Sequence, residues 1–151
     1  MTDTADLKQL AKMFEAIPHC RELGLEITSL EAGFASIRLD YHDRLAGNPQ
    51  TGVVHGGVIS TLLDTVSGLT AMSAVSASTP VATLDLRIDY LKPAHPGEAI
   101  FGEADCFRLT SSVAFVRGCA HHGDAGDPIA TSIGTFMLNS AGFISAKAEA
   151  G

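Results

Sequence analysis

Between Asp6 and Ile17 the apolar residues Leu7, Leu10, Ala11, Phe14 and Ile17 recur at three- and four-residue steps, which places them on one face of a helix. Pro18 predicts the end of that helix, because a residue preceding proline is disfavoured in the α region. The period then falls to two. Leu25 to Glu31, and Ala35, Ile37 and Leu39 alternating with Ser36, Arg38 and Asp40, predict two strands joined at Ala32-Gly33 with one wet face. Tyr41 to Val54 contains Gly47, Pro49 and Gly52 and keeps neither period, so it reads as a loop. From His55 to about Ser76 the helical period returns, with Ile59, Leu62, Leu63, Val66 and Leu69 on one stripe; this is the longest predicted helix. Its other face carries Gly57, Ser60, Asp64, Ser67, Gly68 and Ala71. Small residues surround one carboxylate there, so another backbone could come close to Asp64.

Thr79-Pro80 interrupts the helix, and Leu84, Leu86, Ile88 and Tyr90 then alternate with Asp85, Arg87 and Asp89, the pattern of a strand. After the turn from Lys92 to Gly97, three more strands are predicted over Ile100–Leu109, Val113–Ala120 and Ile129–Leu138, separated by Thr110-Ser111-Ser112 and by Gly123–Pro128. From Ser140 onward the residues are small and polar, which predicts a frayed tail. One apolar helix and a run of strands imply an α+β fold, in which a predominantly antiparallel sheet wraps around one long central helix, with an extra N-terminal helix.

The 151 residues and 15.7 kDa suit a single domain, 1–151, with its core over about 20–140. Hydrophobic residues at 46% are enough to build that core. A formal net charge of −7 opposes approach to a phosphate backbone, so nucleic acid is not an expected partner. Cys20, Cys106 and Cys119 are odd in number and show no metal-ligand spacing; they read as reduced thiols. The polar, acidic start MTDTADLKQL lacks the features of a secretory signal, and the apolar stretch from Val53 to Ala77 carries His55 and Asp64. The expectation is a cytoplasmic protein that does not enter the membrane.

Two features could carry chemistry. His55-Gly56-Gly57 opens the long helix, where unpaired N–H groups and the positive end of the helix dipole favour an oxygen bearing negative charge. Glycine lets a substrate carbonyl reach those N–H groups. The plainer reading is a tight loop-to-helix turn with His55 near the N-cap. Asp64 lies nine residues beyond His55 in a helix with no other charge. It is there either to bond a neighbouring loop or to act as a nucleophile or general base. His121-His122-Gly123-Asp124 and Asp127 superficially resemble metal ligands, yet their composition is that of a turn, and no metal is expected. No phosphate-binding glycine loop, dinucleotide fingerprint or nucleophile elbow occurs in the chain.

The run HGGVISTLLDTVSG from His55 to Gly68, followed by TLDLRIDYLKPA from Thr83 to Ala94 and by Gly97-Glu98, resembles the hotdog-fold acyl-CoA thioesterases of the PaaI type over roughly residues 20 to 140. The resemblance implies that Gly56 N–H polarises the thioester carbonyl, that Asp64 is nucleophile or general base, and that His55 orients substrate and loop. It implies that Thr83 stands near the attacking water and that Gly57 belongs to the substrate site. The family commonly has Asn-Pro-x-Gly ahead of HGG. Here Asn48-Pro49-Gln50-Thr51-Gly52 sets the Asn one residue farther from the His, so either Asn48 or Gln50 takes its role, Asn48 ranking first. Sites between subunits are implied, in a homodimer or a homotetramer, with an acyl-CoA as substrate and no cofactor. Lys92, Arg108, Arg117 and His121 are candidate contacts for the coenzyme A phosphates, or else solvated strand positions. A non-catalytic acyl-CoA-binding module and an enoyl-thioester hydratase are the alternatives.

Overall fold

Asp3 starts the first helix: its carboxylate accepts from Asp6 N at 2.9 Å and caps α1 (Thr4–Glu15), which buries Leu10 and Phe14. The computed structural model describes residues 2–140, so the tail read as frayed lies, beyond Ser140, outside the described residues. Pro18 does not simply end a helix. It occupies the first position of a second, short one, α2 (Pro18–Leu23), where its missing N–H costs nothing and its fixed φ suits the turn. Gly24 then closes α2 at φ +77°, a left-handed conformation that favours glycine.

The strands are β1 (Leu25–Glu31), β2 (Phe34–Leu39), β3 (Val81–Tyr90), β4 (Ile100–Leu109), β5 (Val113–His121) and β6 (Ala130–Leu138). They form one sheet in the order β1-β2-β4-β5-β6-β3, with every neighbouring pair antiparallel. A one-turn 3-10 helix, Asp43–Leu45, precedes the long helix α3 (Gly56–Ser73). α3 ends three residues earlier than its apolar period suggested.

α3 lies across one face of the sheet and buries Ile59, Leu62, Leu63, Val66 and Leu69 against Ile37, Ile100, Val116 and Phe136. The approach is closest at Gly102, where an added Cβ would fall 2.8 Å from Leu62 Cγ. Polar groups at the far end of α3 are also satisfied. Ser73 Oγ donates to Thr70 O at 2.9 Å and accepts from Gly33 N at 3.0 Å, tying the β1–β2 turn to the helix. Together these contacts make α3 the fixed axis of the fold.

β3 departs from the plain alternation of its sequence. The register against β6 shifts between Thr83 and Asp85, so Leu84 sits in a bulge and is 54% exposed. β3 is also a sheet edge: β6 pairs with one side of it and no strand lies on the other among the described residues.

Candidate active site

The loop before α3 is held from several sides. Gly47 N donates to Val53 O at 2.8 Å, His55 N to Leu45 O at 2.8 Å, and Tyr41 Oη to Gly52 O at 2.9 Å. Asn48 Oδ1 accepts from Gln50 N at 2.9 Å and Thr51 N at 3.3 Å, the local bonding typical of Asx turns. The Asn48 side-chain oxygen thus shapes its own loop. Gln50 is exposed, and neither residue's side chain is hydrogen-bonded to His55, Gly56 or Asp64.

His55 is the N-cap of α3, and its Nδ1 accepts from Gly57 N at 2.8 Å. In the neutral ring that acceptance leaves the proton on Nε2. A Cβ on Gly57 would lie 2.9 Å from His55 Nδ1, so glycine is what allows the imidazole to close on the backbone. With Gly57 N–H engaged, the Gly56 N–H is left exposed at the helix terminus with no acceptor among the described residues.

Tyr90, at the end of β3, meets this helix start. Its hydroxyl donates to Gly56 O at 3.1 Å and is hydrogen-bonded to Ser60 Oγ, which itself lies 3.3 Å from Gly56 O. Two hydroxyls, bonded to each other, therefore hold the peptide plane that follows Gly56. The sequence signalled Tyr90 only as a strand residue and Ser60 only as one of the small residues of α3.

Asp64 stands two helical turns farther on, exposed, and Thr83 Oγ1 donates to its Oδ1 at 2.9 Å. Both residues lie at the rim of an apolar cavity of about 330 Å³ between α1, α2, α3 and the start of β3. A carboxylate with one oxygen held and the other free, beside an apolar recess, can accept a proton from water or attack an electrophilic carbon. Within one chain Gly56 and Asp64 are eight residues apart on α3, roughly 12 Å along the axis.

The other candidates are placed elsewhere. Lys92 pairs with Asp127, and Arg117 with Asp105 at 3.0 Å; Arg108 is exposed. Asp124 Oδ1 accepts from Gly126 N at 2.8 Å, which confirms a turn. His122 is bonded to the backbone of Ala99 and His95 at 2.9 and 3.0 Å. His121, read as a phosphate contact, is buried: its Nδ1 accepts from Gly123 N at 3.0 Å, and its Nε2 faces Glu103 at 3.0 Å. Glu103, Cys119 and His121 bring ligand-type atoms within 4.8 Å of one another. However, the Gly123 N–H bond keeps the neutral ring's proton on Nε2, the atom that would have to ligate. A larger groove of about 450 Å³ is lined by the paired ions Arg87, Asp89, Asp105 and Arg117 and by none of the residues around Gly56 or Asp64.

One long helix on an antiparallel sheet, an uncovered N–H at its glycine-rich start and a held carboxylate farther along it define a hotdog fold of the thioester-hydrolysing kind. The Thioesterase superfamily profile matches residues 51–129, and the chain belongs to that family. YigI of Salmonella typhimurium, a medium/long-chain acyl-CoA thioesterase, is 29% identical over 152 residues, covering 91% of this chain and 97% of its own. A Halobacterium salinarum relative is 38% identical over 94 residues, and the match spans 60% of this chain and 61% of that protein. Among solved structures, a Pseudomonas aeruginosa protein is 42% identical with a TM-score of 0.77, covering 87% of this chain and 97% of that one. A thioesterase family protein from Silicibacter pomeroyi is 26% identical with a TM-score of 0.79, over 87% and 96%. The protein is a thioester hydrolase.

Proposed function

We propose that the protein hydrolyses acyl-CoA thioesters to the free acid and coenzyme A. The observation that carries this reading is the Asp64 carboxylate, held by Thr83 at 2.9 Å on the rim of an apolar cavity. Asp64 removes a proton from water as the water oxygen attacks the acyl carbon, or attacks that carbon itself to form an anhydride that water then cleaves. In either route the carbonyl oxygen gains negative charge, which the Gly56 N–H and the helix terminus stabilise. Collapse breaks the C–S bond; the departing thiolate takes the proton that Asp64 removed from water or, in the anhydride route, the proton released when water cleaves the anhydride. Water is the only co-reactant in this scheme. His55 holds the helix start open, and Thr83 holds the carboxylate.

Reacting atoms must come within about 3–3.5 Å of one another, so the roughly 12 Å between Gly56 and Asp64 excludes one chain serving one carbonyl with both. β3 supplies the remedy. Thr83 lies beside Asp64 and Tyr90 beside Gly56, and the free edge of β3 can pair with a second copy across a two-fold axis. An antiparallel pairing centred near the middle of β3 would set the Thr83 end of one strand near the Tyr90 end of the other, and so bring each Asp64 toward the other chain's Gly56. A homodimer with two sites follows, and two such dimers would make the homotetramer. YigI, which matches nearly full length, is a medium/long-chain acyl-CoA thioesterase, and its substrate class supports this one.

The test is thiol release from a panel of aliphatic and aryl acyl-CoAs, wild type beside Asp64→Asn. Turnover should fall by about 10²–10⁴ in the variant. Binding of acyl-CoA without thiol release by the wild type would instead make the protein a binding module.

A further inference from the structure

Two histidines make the same local bond. His55 Nδ1 accepts from Gly57 N at 2.8 Å, and His121 Nδ1 accepts from Gly123 N at 3.0 Å. In each case the imidazole folds back on the backbone two residues ahead. The bond needs the Nδ1 lone pair, so it exists only while the ring is neutral and carries its proton on Nε2. Protonation sets an N–H of the ring against an N–H of the backbone. The surroundings then separate the two rings. His121 is buried, its Nε2 lies 3.0 Å from Glu103 Oε1, Cys119 is beside it, and Arg38 sits over the ring of Phe101 on which His121 stacks. The carboxylate there offsets what an imidazolium would lose. His55 is exposed at the N-cap of α3, where the positive end of the helix dipole opposes a cation. The elements packed around it carry Asp43 and Arg44, on the 3-10 helix whose Leu45 O takes the His55 N–H, Tyr90 at the end of β3, and Lys92 and His95 on either side of Ala94, whose carbonyl takes the Val54 N–H. Among the described residues none of these is bonded to the His55 ring; Arg44 pairs with Glu22 at 3.4 Å and Lys92 with Asp127. Asp64 of the same helix is nine residues on. Asp64 of the partner subunit, which the two-fold pairing brings toward Gly56, would hold an imidazolium only at the expense of its own role as base or nucleophile.

We propose that His55 is an acid sensor at the oxyanion site: neutral, it latches the start of α3, and protonated, it releases that start and lowers the rate reversibly. The inference rests on the thioesterase reading above and adds regulation to it. The peptide between Gly56 and Gly57 is held at both ends, its carbonyl by Tyr90 at 3.1 Å and its N–H by His55 at 2.8 Å. Uptake of one proton from solvent removes the second hold and leaves the first. Both residues are glycines, the type that loses most conformational freedom in a helix and regains it when a cap is gone. The neighbouring Gly56 N–H then loses the fixed direction on which preorganised stabilisation of an oxyanion depends.

His55→Asn tests the proposal, because asparagine at an N-cap accepts from the same N–H and does not titrate. Rates on the acyl-CoA that the substrate panel ranks first are compared from about pH 8 to about pH 5, where histidine changes charge and above the ordinary carboxylate range. Each protein is scaled to its own rate at the alkaline end. Wild type should lose at least about fivefold at the acid end and recover on return, while His55→Asn loses less than about twofold. In parallel the amide signal of Gly57 is followed by NMR in wild type. It should move upfield in step with the His55 ring protons, the sign of a lost hydrogen bond, and this readout needs no turnover. Circular dichroism shows whether His55→Asn is folded; if it is not, the Gly57 signal in wild type decides. An active wild type whose Gly57 amide does not follow His55, or a folded His55→Asn with the acid loss of wild type, overturns the sensor and leaves the hydrolase reading standing. A wild type that shows the shared titration but releases no thiol keeps the latch and overturns the hydrolase reading.

Discussion

The hydroxyl of Tyr90 donates to the carbonyl of Gly56 at 3.1 Å, so the last residue of β3 fixes the orientation of the first peptide of α3. Tyr90 is a positioning residue: it holds the Gly56–Gly57 peptide, whose N–H closes on His55 Nδ1, and so steadies the helix start that presents the neighbouring Gly56 N–H. Removing its hydroxyl in Tyr90→Phe should lower kcat about fivefold, the value of roughly 1 kcal/mol for one hydrogen bond, with KM nearly unchanged. A change confined to KM would mean that Tyr90 contacts substrate and leaves the peptide alone.

Gly56→Pro removes the proposed oxyanion donor with little disturbance elsewhere. Position 56 is the first residue of α3 and His55 before it is extended at φ −61°, ψ 133°, which a following proline accepts. The variant should melt near the wild-type temperature yet lose about 10²–10³ in kcat. Full activity would show that the amide plays no part.

Mixing the two inactive variants tests the shared site. In a heterodimer of Gly56→Pro and Asp64→Asn chains, one of the two sites draws an intact glycine and an intact carboxylate from different subunits. Random reassortment should therefore restore roughly a quarter of the wild-type sites. No recovery after verified subunit exchange would show that each site is built from one chain.

Gly102→Ala should destabilise the protein by about 1–3 kcal/mol. Its new methyl would fall 2.8 Å from Cγ of Leu62, itself fully buried. The melting temperature reads this directly, and an unchanged value would mean that α3 can shift away from β4 at little cost.

Burial pushes the thiols of Cys20, Cys106 and Cys119 above their usual value of 9.0. The folded state thus favours the neutral thiol, and the stability it contributes is present below about pH 9 and is lost as pH rises through the raised values. At pH 8 iodoacetamide should label all three more slowly in the folded protein than in urea. Equal rates would sink this reading.

The central helix, the long strands and the spacing of Gly56 and Asp64 were legible because each follows from a local period or a short motif. What escaped the sequence depends on partners distant along the chain. Pro18 could end one helix or begin another, and in the fold it begins α2, which buries Cys20 in the core. Leu84 fitted the alternation of β3 until the bulge against β6 took it out of register. Tyr90 and Thr83 show their relation to α3 only once β3 lies beside that helix. The wall that α1 and α2 build over Asp64 left no mark beyond Met13 and Ile17, two large apolar residues that the fold leaves half exposed.

The sheet order has a consequence for how the protein is made. Among the described residues β3 follows α3 in the chain but pairs only with β6, the last strand there, from Val81↔Leu138 to Tyr90↔Ala130. A nascent chain that has emerged as far as Leu109 holds α3 and β1, β2 and β4, but the one strand that pairs with β3 among the described residues has not yet been made. The sheet therefore secures Thr83 beside Asp64 and Tyr90 beside Gly56 only once β6 has emerged. The chemistry is assembled last, after the scaffold that supports it.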